Sequence, residues 1–82
     1  MAITFTLYLN QRRLERYTMV CTVDELCDKM IERGMAGYEC TAEDGHAGVT
    51  LTQARLRHLM RTRSLAAYRA ELLSALVEKL YL

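Results

Sequence analysis

Positions 3 to 9 alternate without a break, with Ile3, Phe5, Leu7 and Leu9 on one side and Thr4, Thr6 and Tyr8 on the other. A period of two marks a half-buried β-strand. Asn10-Gln11-Arg12-Arg13 then reads as a turn. Tyr17, Met19 and Cys21 alternate with Thr18 and Val20, which predicts a returning strand and a hairpin. Residues 11–16 between them are too polar to separate strand from a short helical turn.

The period changes at Thr22. Val23, Leu26, Cys27, Met30 and Ile31 form one stripe at helical spacing, with Glu25, Asp28 and Glu32 opposite. Thr22 followed by Glu25 has the spacing of a capping box, and Gly34 is the expected end of this helix. Tyr38, Cys40 and Ala42 return to alternation. Asp44-Gly45 signals a hairpin turn, and 47–50 supplies the strand that follows it. Thr50 with Gln53, or Thr52 alone, caps a further helix whose inner side carries Leu56, Leu59 and Met60. Its phase slips near Thr62-Arg63-Ser64, which predicts a bend or a break.

From Ser64 onward the pattern is helical and apolar around most of its circumference: Leu65, Leu72, Leu76 and Leu80 on one side, flanked by Tyr68, Leu73 and Val77. A helix of that kind is buried on more than one side. A domain of 82 residues is expected to leave part of it uncovered. A homodimer is therefore anticipated, with Leu65, Tyr68, Leu72, Leu76 and Leu80 as its interface. The whole reads as one α+β domain spanning 1–82 in the order β-β-α-β-β-α-α, its antiparallel hairpins covered on one face by helices.

Charge changes the picture more than composition does. Between Asp24 and Asp44 seven acids stand against Lys29 and Arg33, a net of −5; between Gly45 and Ala70 five arginines stand alone, a net of +5. The overall +1 hides two opposite patches. Asp24, Asp28 and Glu32 form an acidic face. Arg55, Arg57, His58, Arg61 and Arg63 form a basic one, and their fork-shaped guanidinium groups suit phosphate or carboxylate. Arg69 falls inside the leucine stripe, where the expectation is a stem laid along apolar surface with its head in water.

Candidate chemistry narrows quickly. Two histidines and three cysteines bear no nucleophile signature, and no catalytic residue is expected. Cys21, Cys27, Cys40 and His46 lack the close cysteine pair of a structural zinc site, so neither a metal nor a cofactor is anticipated. Gly45-His46-Ala47-Gly48 has the spacing of the backbone clamp in KH domains, yet Asp44 and flanking strands depart from that pattern, and a glycine-bearing hairpin loop accounts for it. No apolar run is long enough for a membrane helix, and the start, Met1-Ala2-Ile3-Thr4-Phe5, lacks a secretory signal. A complete, cytoplasmic chain with reduced thiols follows as the expectation.

The functional expectation is a small non-catalytic module that binds another protein. It would act as a regulator, adaptor or inhibitor, in the manner of phage or plasmid accessory proteins that block host machinery. The alternative is a nucleic-acid-binding regulator using the arginine-rich helix across 51–69.

Overall fold

A computed structural model of the chain describes residues 2–62 and 64–82. Four antiparallel strands form one sheet: β1 (Ala2–Leu9), β2 (Arg12–Val20), β3 (Glu39–Glu43) and β4 (Gly48–Leu51), in the spatial order β2-β1-β3-β4. The helices are α1 (Val23–Met35), α2 (Gln53–Thr62) and α3 (Leu65–Leu76), the last running into a π-helical turn, Val77–Tyr81. The element order is the β-β-α-β-β-α-α read from the pattern, and no described helix is long and apolar enough to cross a membrane.

Residues 11–16 prove to be strand and turn, not helix. Asn10 and Gln11 take φ of 51° and 66°, the left-handed pair that a tight two-residue hairpin needs. Strand β2 follows from Arg12, with Leu9 opposite Arg12 and Phe5 opposite Tyr17. The register slips between Leu7 and Tyr8, which leaves Leu14 as the extra residue of a β-bulge.

The alternating residues build the core as their period dictates. Ile3, Phe5, Leu7, Cys40, Ala42 and Leu51 are buried from the sheet, and Leu26, Cys27 and Met30 close over them from α1. Phe5 and Tyr17 pack 5.7 Å apart, and the Lys29 ammonium lies 5.3 Å and 5.1 Å from their ring centres. Its stem shields the aromatic pair while the charge meets their π faces. On the opposite face Thr6 is buried between Arg16 and Thr41 in register, and Arg16 reaches Glu43 at 3.5 Å.

The helix ends are local chemistry. Thr22 and Glu25 form both halves of the capping box, at 3.2 Å and 3.0 Å. At the other end α1 runs past Gly34 to Met35, and Gly37, at φ 100°, closes it: the Gly37 amide donates to Gly34 and the Tyr38 amide to Arg33. Gly34 serves packing instead. A Cβ there would lie 3.0 Å and 3.2 Å from the Leu51 and Leu56 methyl groups, so its bare backbone lets α1 cross the β4–α2 junction. Thr52 and Ser64 cap α2 and α3.

Most of the α3 stripe finds cover within its own subunit. Tyr68, Leu72, Leu76 and Leu80 all lie within the subunit's core, and Leu65 alone of the five stays exposed, at 44%. The π-helical turn helps here: Leu80 stays buried, and the Tyr81 hydroxyl donates to the Cys21 carbonyl at 3.2 Å.

Candidate functional site

Beyond its Thr52 cap, helix α2 is tied at its start to β3 and α1 by Gln53. The Gln53 amide donates to Glu39 at 2.9 Å, and its side-chain nitrogen donates to the carbonyls of Gly34 and Tyr38 at 2.8 Å and 2.7 Å. Leu56 and Leu59 turn inward, which fixes the rotation of the helix. Arg57, His58 and Arg61 are consequently exposed on its outer side. Arg57 and Arg61 stand one turn apart, about 6 Å along the axis. None of these three forms an ion pair with another described residue.

The other members of the expected basic set part from them. Arg55 turns toward α3 and meets Glu71 at 3.7 Å. Arg63 lies outside the described residues.

The acidic face finds its counter-charge in Arg69. The guanidinium donates to Asp28 at 2.8 Å and to Asp24 at 3.4 Å, bridging α3 to α1. Its head is thus engaged by two carboxylates instead of lying free in water. That hydrogen bond and the positive charge hold the Asp28 carboxyl below its ordinary range. Beside it the Cys27 thiol lies 3.7 Å from the Arg69 carbonyl, and burial pushes that thiol up. Glu32 pairs with its neighbour Arg33 at 2.9 Å.

The remaining thiols are separate. Cys40 is buried against the Met30 carbonyl, and burial raises its pKa to about 12. Cys21 lies 3.6 Å from the Tyr81 hydroxyl, whose pKa is likewise raised to about 12, first by burial and then by that contact. His46 sits in the β3–β4 turn, where its amide and that of Ala47 both donate to the Asp44 carboxylate at 2.9 Å. No group of three or more His, Cys, Asp or Glu side chains that suits a metal ion occurs among the described residues.

A cleft of about 500 Å³ had no counterpart in the sequence reading. Strand β4 forms one side and α3 with its π-helical turn the other, and Arg55 and Leu59 of α2 also line it. Tyr68 also lines it, 1% exposed, with a hydroxyl that has no hydrogen-bond partner among the described residues. Burial raises the pKa of that hydroxyl to about 12, so it is protonated and able to donate at neutral pH. A tyrosine within a leucine stripe is the only signal the sequence offers for this site.

The fold is a small α+β domain whose α2 helix exposes Arg57, His58 and Arg61, none of them ion-paired with another described residue. The chain matches no protein-family model, no curated protein and no solved structure.

Proposed function

We propose that the domain is a non-catalytic module that binds a protein with an acidic surface through the outer face of α2, using Arg57, His58 and Arg61. One observation carries this reading: the acidic residues Asp24 and Asp28 have a counter-charge within the fold, whereas Arg57 and Arg61 form no ion pair with another described residue. Two like charges one turn apart repel by a few tenths of a kcal/mol, and an anionic partner relieves that cost. Occupying a partner's surface makes the module a regulator, adaptor or inhibitor. A cytoplasmic setting agrees with three free thiols, two of them buried. Tyr68, Leu72, Leu76 and Leu80 are buried within the single chain, so this reading draws on the α2 face and not on those residues.

The test is cross-linking and affinity capture from cell lysate, with the Arg57→Glu, Arg61→Glu double variant as control. The expected result is a protein retained by the native chain and lost by the variant. Retention by both sets the arginine face aside. Salt-sensitive binding of short duplex DNA or single-stranded RNA, lost in the same variant, replaces the protein partner with nucleic acid.

A further inference from the structure

We infer that the cleft beside β4 takes an extended peptide segment of another protein, which adds to β4 as a fifth strand and sets one short hydrogen-bond-accepting side chain against Tyr68.

The β3–β4 register says which backbone groups are free. The Asp44 amide donates to the Ala47 carbonyl, so these two residues form a hydrogen-bonded pair. Antiparallel pairs alternate, so Ala42–Val49 and Cys40–Leu51 exchange hydrogen bonds, while Glu43–Gly48 and Thr41–Thr50 do not. The close approach of the Thr41 and Thr50 hydroxyls, at 3.1 Å, fits a non-hydrogen-bonded pair. The amides and carbonyls of Gly48 and Thr50 therefore point outward from the sheet. Both residues line the cleft, and Gly48, lacking a side chain, does so with its backbone.

The two sheet edges differ in how they are guarded. Strand β2 carries Arg12, Arg13, Glu15 and Arg16 and a bulge, devices that discourage strand addition. Strand β4, Gly48-Val49-Thr50-Leu51, has no charge, no proline and no register shift. Four strand residues span about 14 Å, and about 500 Å³ accommodates a few side chains beside them.

Alternation also places the incoming side chains. Residues paired with Gly48 and Thr50 point to the threonine face of the sheet. The residue between them points to the helix side, where Leu59, Leu72 and Ala75 line the cleft with Tyr68. Arg55 and Lys79 are balanced there by Glu71 and Glu78, so the walls favour an uncharged side chain such as Ser, Thr, Asn or Gln.

The experiment screens the full chain against a displayed library of random linear dodecapeptides, then measures the enriched peptides by calorimetry and amide hydrogen exchange. The expected result is protection of the Gly48 and Thr50 amides by at least tenfold in the complex. Tyr68→Phe weakens binding several-fold, Ala75→Trp, which fills the cleft, weakens it more than tenfold, and Arg57→Glu with Arg61→Glu leaves it unchanged. No enrichment over an unrelated control protein overturns the proposal. So do Gly48 and Thr50 amides that stay unprotected in the complex, a readout on the native chain that does not depend on any variant folding.

Discussion

Helices α1 and α2 both flank α3, yet they meet it in opposite ways. Against α1, α3 offers Arg69 to two carboxylates and its backbone carbonyl to the Cys27 thiol, so the two helices are joined by charge and close approach together. Against α2, among the described residues, it offers the long Arg55–Glu71 ion pair and a cleft. Arg69, the last arginine of the basic run in sequence, is the one that bridges Asp24 and Asp28 in space. Charge sorted along a chain is a poor guide to charge sorted on a surface, because one inward-turned residue reassigns a whole patch.

The sharpest way to break this comparison is to remove a core leucine from each side. Leu26→Ala, beneath α1, is expected to cost about 2–5 kcal/mol, and Leu59→Ala, beside the cleft, about 2 kcal/mol at the low end of that range. Urea denaturation measures both; equal costs would mean that the α2 side packs as densely as the α1 side. The helix caps give a smaller contrast. Thr22→Ala should cost about 1 kcal/mol because it breaks a reciprocated box, and Thr52→Ala, which loses a single bond, about 0.5 kcal/mol.

Smaller still is the charge effect on stability. Arg57→Glu with Arg61→Glu should shift the unfolding free energy by about 0.5 kcal/mol or less, whereas Arg69→Met should lower the melting temperature. The finest probe is pH. Asp28 has its carboxyl pKa depressed in the folded state, so its contribution is present above about pH 4, the unfolded value, and is lost as pH falls through the folded value. Carboxyl NMR titration should show Asp28 returning toward its ordinary range in Arg69→Met; an unmoved titration would break the assignment of that shift to Arg69.

Much of the fold was legible because its signals are local. The alternation of Ile3 to Leu9 and the Thr22–Glu25 box each involve neighbours a few residues apart, and each took the expected form, while the bend anticipated at 62–64 includes Arg63, outside the described residues. Strand β2 was half-hidden because its first residues, Arg12, Arg13, Glu15 and Arg16, put charge on both of its faces. Gly34 was misread as a terminator, since the clash it avoids comes from Leu51 and Leu56, far along the chain. The cover over Leu72, Leu76 and Leu80 was missed for a similar reason: a stripe records that a residue is buried, never against what. Of the candidate sites, Arg57, His58 and Arg61 stood out by type and spacing. The pairing of Arg69 and the orphan hydroxyl of Tyr68 did not, because both depend on tertiary placement.

The strand order carries a consequence for how the chain assembles. Pairs β1–β2 and β3–β4 are short hairpins that close on the microsecond scale, while β1–β3 joins Thr4 to Glu43 and Tyr8 to Glu39 across the whole of α1. The sheet is two quick folding units zipped along one slow seam. Loop-closure entropy is concentrated at that seam, and the hydrophobic return arrives only when Phe5 and Leu7 meet Cys40 and Ala42. Cooperativity in this small domain therefore resides in the central pairing, and neither hairpin alone encloses a core.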